Sequence, residues 1–156
     1  MARALPTPDE RAFLQAYDPG QFDRPSVTVD VVLLAPAEGS LHTLLIRRAE
    51  HPFKGQWALP GGFVGMAESL DAAAARVLAT KAGLEGVFLE QLYTFGAPDR
   101  DPRMRILSVA YYALVDHARF QEARLPQEEA TVARLVPAKT GDGLTVKAPS
   151  GKALDL

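Results

Sequence analysis

The sequence contains no cysteine, and its histidines are few. Disulfide bonds, thiolate zinc sites and cysteine nucleophiles are therefore excluded. The three histidines, His42, His51 and His117, do not stand at spacings typical of metal ligands. The longest apolar-rich run, residues 106–115, has about half the length of a membrane span. The N-terminal segment carries charges at 9–11 where a signal peptide needs apolar residues, so we expect a cytoplasmic protein with no membrane partner.

A strong excess of one charge is also lacking, because the formal net charge is −2 over 156 residues. This balance gives no electrostatic reason to expect nucleic-acid binding by this domain. Apolar residues make up 47% and charged residues 23% of the chain, which is typical of a globular domain. The length predicts one domain over 1–156, with an N-terminal segment 1–25, a core over 26–148 and a tail over 149–156.

Turn residues and β-branched runs predict most of the regular structure. Residues 7–10, Thr-Pro-Asp-Glu, are typical of a helix start, and residues 18–20 should end a short helix near Tyr17. Strands are predicted over residues 26–35, 41–48, 86–95, 104–115, 131–137 and 144–148. Connections or segments without structural signal are predicted at 36–40, 49–56, 96–103, 116–127 and 149–156.

One strong helix signal lies in the middle of the chain. Ser69 can cap a helix, the alanine-rich segment 70–82 has a high helix propensity, and Gly83 suits a helix C-terminus. The order of strands, one central helix and further strands predicts an α/β or α+β fold with a mixed β-sheet.

The segment 61–84 carries the most specific pattern of the sequence. It resembles the signature of the Nudix family, in which glycines, glutamates and one arginine stand at fixed spacings. The matching positions are Gly62, Glu68, Arg76, Leu78, Gly83 and Leu84. Further similarity to ADP-ribose pyrophosphatases and their regulatory relatives is found at 47–48, 51–55, 57–62, 99–103 and 108–112.

This resemblance implies a Nudix-type α/β/α sandwich around a central mixed β-sheet. It also implies a small-molecule ligand, either ADP-ribose or a related nucleotide diphosphate. The subgroup often forms homodimers, and the segment before Ser26 is then an interface element. Regulators of this subgroup carry a DNA-binding domain after the Nudix-like domain, and we expect too few residues here for such a domain.

Three departures from the signature fall on metal-binding positions. Active relatives have glutamates where this chain has Val77, Thr80 and Lys81. Offsets of three and four residues put such positions on one helix face, where the glutamates hold Mg²⁺ or Mn²⁺ and the metal helps to activate water. The substitutions replace three negative charges by one positive charge. We therefore expect no cofactor, weak or absent hydrolysis, and at most Gly62 and Glu68 as remaining metal ligands.

The surviving residues predict a ligand site that does not need a metal. Gly61 and Gly62 allow a ligand to approach the backbone closely, and Lys81 could place a fixed positive charge near a diphosphate. Glu68 and Arg76 are remnants of the catalytic signature, and Arg76 could pair with Glu68 or turn to the ligand. The expected ligand contacts are Arg48, Trp57, Gly61, Gly62, Lys81, Arg100 and Arg103.

Other interpretations of these residues stay open. Trp57 could be a packing residue rather than a stacking platform for a base. Only one of Arg47 and Arg48 should reach a cleft, because neighbouring strand residues face opposite sides. The charged residues of 99–103 could form an internal salt network instead of a phosphate site.

Two other functions are compatible with the sequence. An active hydrolase would recruit Glu68, Asp99, Asp101 or Glu129 as ligands for Mg²⁺ or Mn²⁺, and a catalytic base could come from Glu128 or Glu129. A structural or interaction domain would bind no nucleotide at all.

Overall fold

The structure, a computed structural model, describes residues 6–123, 130–138 and 143–154. The helices are α1 (Pro8–Ala16), α2 (Leu70–Ala82) and α3 (His117–Gln121). The strands are β1 (Ser26–Ala37), β2 (Ser40–Arg47), β3 (Trp57–Ala58), β4 (Gly61–Phe63), β5 (Glu90–Phe95), β6 (Ile106–Leu114), β7 (Ala130–Pro137) and β8 (Leu144–Lys147). No helix in the described ranges combines the length and the apolar character that crossing a membrane requires.

A single mixed sheet organises the described part of the chain. Its main path runs β5-β6-β1-β2-β7-β8, and β3 and β4 are added beside β2 and β1. Strands β1 and β6 are parallel, while the other pairs are antiparallel. The predicted α/β (α+β) class with a central mixed sheet is therefore confirmed.

The core lies between β1 and α2. Alternate residues of β1, from Val29 to Ala35, are fully buried, because successive side chains of a strand point to opposite faces. They pack against the buried face of α2, which includes Ala74, Val77 and Leu78. The small alanine side chains allow the helix to approach the sheet closely. The opposite face of β1, with Thr28 and Asp30, stays only half-buried.

Helix α2 begins and ends where its sequence predicts. The Ser69 hydroxyl accepts a hydrogen bond from the backbone N–H of Ala72 at 3.1 Å, which satisfies a donor that the first helical turn leaves free. At the other end, Gly83 adopts a left-handed conformation with φ of 66°, which costs little for glycine. These two caps fix the length of the helix and hence the position of Lys81 in its last turn.

The N-terminal helix is also confirmed. The Thr7 hydroxyl accepts a hydrogen bond from the N–H of Glu10 at 3.2 Å, and Pro8 occupies the first helical position. No residue of α1 is buried, so its local capping signals define this helix without help from the core.

Several predicted boundaries are wrong where tertiary contacts decide them. The strand predicted over 86–95 begins only at Glu90, because Gly86 has a φ of 65° and the pairing with β6 starts at Glu90. The strand predicted over 104–115 covers Ile106–Leu114.

Two segments predicted to be irregular contain regular structure. The connection predicted over 116–127 contains α3, whose Phe120 is buried in the core. In the tail, Ala153 forms a bridge to Lys147.

Candidate functional site

A cleft of about 530 Å³ opens where the sheet splits. The second half of β1 pairs with β2 at residues 34–37, while its first half pairs with β4 at residues 28–30. The walls come from β1, from β4, from the loop after β2, from the end of α2 and from the loop between β5 and β6. Five segments that are far apart in the sequence therefore meet at one concave surface.

Four basic side chains line this cleft: Arg48, Lys81, Arg100 and Arg103. All four stand among the ligand contacts expected from the sequence, as do Gly61 and Gly62, which also line it. The acidic lining residues are Asp30, Glu50 and Asp101. Because Asp101 is already paired with Arg103, the unpaired charge of the cleft is positive on balance. Such a surface favours an anionic ligand.

The two neighbouring arginines at the end of β2, Arg47 and Arg48, differ in exposure and in hydrogen-bond partner. Arg48 is half-buried, lines the cleft and donates from Nε to the carbonyl of Pro52 at 2.9 Å. Arg47 is exposed and donates from Nε to the carbonyl of Gly55 at 3.0 Å. Trp57 pairs with Arg47 in the β2–β3 register. It is half-buried and is not one of the residues that line the cleft.

The loop between β5 and β6 carries two cleft arginines: Arg103 forms a salt bridge within the loop, and Arg100 does not within the described residues. Arg103 binds both carboxylate oxygens of Asp101 through Nε and Nη2, at 3.0 and 2.9 Å, and its backbone N–H donates to the same carboxylate. These contacts lower the pKa of Asp101 to about 2. The Arg103 guanidinium also lies 5.6 Å from the ring centroid of Phe63. Arg100 forms no salt bridge with any residue in the described ranges. Of the alternative internal salt network in segment 99–103, the described part of the chain contains only the Asp101–Arg103 pair.

The three altered signature positions have different surroundings. Val77 is 1% exposed, and one of its methyl groups lies 3.3 Å from where a Cβ on Gly62 would stand. The Thr80 hydroxyl donates to the carbonyl of Arg76 at 2.8 Å within the helix. Lys81 is exposed and lines the cleft. Of the three side chains, only the lysine therefore contributes charge to the cleft.

The two remnants of the catalytic signature bind each other outside the cleft. Arg76 donates from Nε to Oε2 of Glu68 at 2.9 Å and from Nη2 to Oε1 at 2.5 Å. The N–H of Gly65 donates to the same Oε1 at 2.6 Å. These hydrogen bonds, that of Arg76 first, lower the pKa of Glu68 to about 2. Both residues line a separate, shallow depression with segment 63–67.

The donor set of these positions does not fit a bound Mg²⁺ or Mn²⁺. Such ions require several oxygen ligands, usually carboxylates. Here valine offers none, the threonine hydroxyl is bonded to its own helix, and the lysine repels a cation. Glu68 would have to leave Arg76 before it could coordinate a metal. Across 6–123, 130–138 and 143–154 no group of three or more His, Asp or Glu side chains is arranged to hold an ion. Glu128 and Glu129 lie outside the described residues.

Asp30 lines the cleft although no sequence motif marks it as a site residue. Asp30 and Thr28 both line the cleft from the half-buried face of β1. Their polar side chains alternate with the buried Val29 and Val31. A polar residue at every second position of an otherwise apolar strand was the available signal. This alternation indicates that one face of β1 lies outside the core, but it does not indicate which other segments that face contacts.

The family model described as NUDIX domain matches residues 24–150 of this chain. The chain is 39% identical over 115 residues to the ADPR responsive transcriptional repressor NtrR of Acinetobacter baylyi, a match that covers 72% of this chain and 46% of that protein. It is 38% identical over 87 residues to the ADP-ribose pyrophosphatase of Methanocaldococcus jannaschii, which covers 56% of this chain and 49% of that protein. The chain thus spans about half the length of the curated relatives it matches.

Solved structures give a similar picture. The NUDIX domain of Shewanella oneidensis NrtR, crystallised in complex with ADP ribose, superposes with a TM-score of 0.63 and 40% sequence identity. The match covers 69% of this chain and 71% of that one. Relatives of this chain therefore include both a regulator that responds to ADP-ribose and an enzyme named for ADP-ribose.

Proposed function

The chain belongs to the NUDIX domain family, and we propose that it binds ADP-ribose or a related nucleoside diphosphate and hydrolyses it weakly or not at all. The cleft has a suitable charge for a diphosphate, because Arg48, Lys81, Arg100 and Arg103 all line it. Similarity to a repressor that responds to ADP-ribose supports the same ligand class.

Lys81 is the observation that carries this proposal. It stands at a signature position where the family places a metal-binding glutamate, and its side chain lines the cleft. In the described part of the chain it forms no salt bridge. An ammonium group at this place can pair directly with a diphosphate and so supply the charge that a metal supplies in active relatives.

Weak hydrolysis follows from the same positions. Transfer of a phosphoryl group to water requires charge neutralisation and an activated water, which divalent ions provide together. Lysine can replace the first effect but does not activate water. Glu68 is the glutamate that remains in the signature. Arg76 holds its carboxylate in an ion pair outside the cleft.

The binding test is isothermal titration calorimetry of the purified protein with ADP-ribose, in the presence of a chelator. We expect binding without any divalent ion, and we expect Lys81→Ala to weaken it by roughly tenfold, the effect of losing one charge-assisted hydrogen bond. Lys54→Ala is the matched control, because Lys54 is an exposed loop lysine that does not line the cleft. Equal affinities for wild type and Lys81→Ala would remove the assigned role of Lys81.

The same samples separate the two other functions. Release of AMP from ADP-ribose only after Mg²⁺ is added would establish an active hydrolase, which the similarity to an ADP-ribose pyrophosphatase favours. An absence of heat and of thermal stabilisation with every nucleotide would establish a domain without a ligand.

A homodimer remains part of the proposal. Its support is the exposed apolar side chains on two elements: Phe13 on α1 is 62% exposed, and Leu92 and Tyr93 on β5 are 57% and 62% exposed. Exposed apolar groups of this size are typical of interaction surfaces. We assign no nucleic-acid contact to this domain, since its net charge is −2.

A further inference from the structure

Asp30 is a charged cleft residue that diphosphate binding does not explain. It lies on β1, half-buried, between Thr28 and the glycines of β4. A carboxylate at this place opposes a diphosphate, because like charges repel strongly where water is partly excluded. Asp30 therefore suits a different part of the ligand, one that donates hydrogen bonds.

The carboxylate is fixed from two neighbouring strands. Ser108 on β6 is 1% exposed, and its hydroxyl donates a hydrogen bond to Oδ2 of Asp30. On the other side, Gly61 makes room for Oδ1, because a Cβ at Gly61 would lie only 2.1 Å from this atom. Side chains held in this way lose little entropy when they bind a ligand, which favours selectivity.

One carboxylate oxygen stays available to the cleft. Oδ1 of Asp30 accepts no hydrogen bond from any residue in the described part of the chain. It is also not a buried orphan atom, since the sole such side-chain atom within those ranges is Oγ1 of Thr43. An accessible carboxylate oxygen accepts from hydroxyl or amine donors and disfavours phosphate oxygens.

We propose that Asp30 is a specificity-determining residue whose Oδ1 accepts a hydrogen bond from a pentose hydroxyl of the bound nucleoside diphosphate. This inference rests on the proposed function. The basic residues hold the diphosphate, and Asp30 selects for the sugar attached to it. A base is the poorer partner, because the Arg103 guanidinium already lies over one face of the Phe63 ring and leaves less aromatic surface for stacking in the cleft.

The test compares Asp30→Ala and Asp30→Asn with wild type by calorimetry without divalent ions. Loss of the charged acceptor should weaken binding of ADP-ribose by roughly tenfold or more. Binding of inorganic pyrophosphate should stay unchanged or become tighter, because a repelling charge has been removed. Asp23→Asn is the matched control, since Asp23 is an exposed acidic residue that does not line the cleft. Asp30→Asn keeps the shape of the side chain and covers the case in which the alanine variant does not fold.

Two further ligands identify the donor. A loss seen with ADP-ribose but not with ADP assigns the hydrogen bond to the terminal pentose. A loss seen with ADP but not with 2′,3′-dideoxy-ADP assigns it to the pentose of the nucleoside. Equal losses with ADP and 2′,3′-dideoxy-ADP would assign it to the base and overturn the inference.

The remaining outcomes are also decisive. Unchanged ADP-ribose affinity in both Asp30 variants would overturn the inference and leave the proposed function intact. Parallel losses for pyrophosphate and ADP-ribose would show a general collapse of the cleft, and would overturn it too. If wild type binds neither ADP-ribose nor pyrophosphate, the proposed function fails first, and the role of Asp30 fails with it.

Discussion

Val77 fills space in addition to removing a metal ligand. Its side chain is 1% exposed and packs beside Gly62 at the junction of α2 and β4. A glutamate at this position would have to take the place of buried methyl groups, and Arg76, the neighbouring residue, already binds Glu68. Val77 is therefore a residue of the hydrophobic core.

Restoring the carboxylate at this position should destabilise the protein. We expect Val77→Glu to lower the free energy of unfolding by about 3 kcal/mol, because it places a charged side chain at a buried position. Thr80→Glu, at an exposed position of the same helix, should change it by less than about 0.5 kcal/mol. Urea denaturation in a metal-free buffer measures both. A Val77→Glu variant as stable as wild type would show that the site can still take a carboxylate.

Single residues differ in how far the sequence alone could place them. Lys81, Arg100 and Arg103 belong to recognisable signature segments, and all three line the cleft. Asp30 has no such signal, because its role depends on Gly61 and Ser108, which lie 31 and 78 residues further along the chain. Contacts of this kind become visible only when the strands are paired.

At the scale of elements, local sequence sets the limits of helix α2, whereas tertiary pairing sets the limits of strand β5. The bounds of α2 follow from Ser69 and Gly83, whose capping interactions are local. The start of β5 depends on its pairing with β6, and all of its residues are exposed. An edge strand without a buried face has no clear alternation, so its limits cannot be read from hydrophobicity.

A partly buried hydrogen bond links α2 to β6. Tyr111 is 2% exposed, and its hydroxyl donates to Oδ1 of Asp71 in the first turn of α2 at 2.6 Å. Burial, with the hydrogen bond and charge of Asp71 adding to it, raises the pKa of Tyr111 to about 12. The neutral phenol is therefore the form that stabilises the fold.

Tyr111→Phe should lower the free energy of unfolding by about 1 kcal/mol near neutral pH. Since the folded pKa lies above the ordinary value of 10.0, this contribution is fully present below that pH and is lost as the pH rises through about 12. The variant should thus lose less stability than wild type over that alkaline range, as measured by urea denaturation at several pH values. Tyr17→Phe is the control, because Tyr17 is exposed and its hydroxyl forms no hydrogen bond with any residue that the structure describes. Equal alkaline slopes for wild type and Tyr111→Phe would contradict the assignment.

At the scale of the whole molecule, two ion pairs set the response to acid. The pKa values of Glu68 and Asp101 are both lowered to about 2, by Arg76 with the Gly65 N–H and by Arg103 respectively. Groups with a lowered folded pKa stabilise the protein above their ordinary pKa values of 4.5 and 3.8. This stabilisation is lost as the pH falls from there towards about 2.

The double variant Glu68→Gln, Asp101→Asn should therefore flatten the acid side of the stability curve. Both pairs are reachable by solvent, so roughly 1 M salt should reduce the same slope in wild type through screening. Thermal unfolding at a series of pH values, with and without salt, measures both effects. An acid slope that neither the variant nor salt alters would place the sensitive groups elsewhere in the protein.

The sequence by itself determined the family, the limits of α2 and the loss of the metal-binding glutamates, because local capping and fixed spacings along one helix carry that information. Tertiary structure decided which of the altered side chains lines the cleft: Val77 is buried, Thr80 bonds to its own helix, and Lys81 lines the cleft. It also brought Asp30 beside Gly61 and Ser108. The physical reason is that a cleft forms between segments distant in sequence, and strand pairing sets which side chains face it.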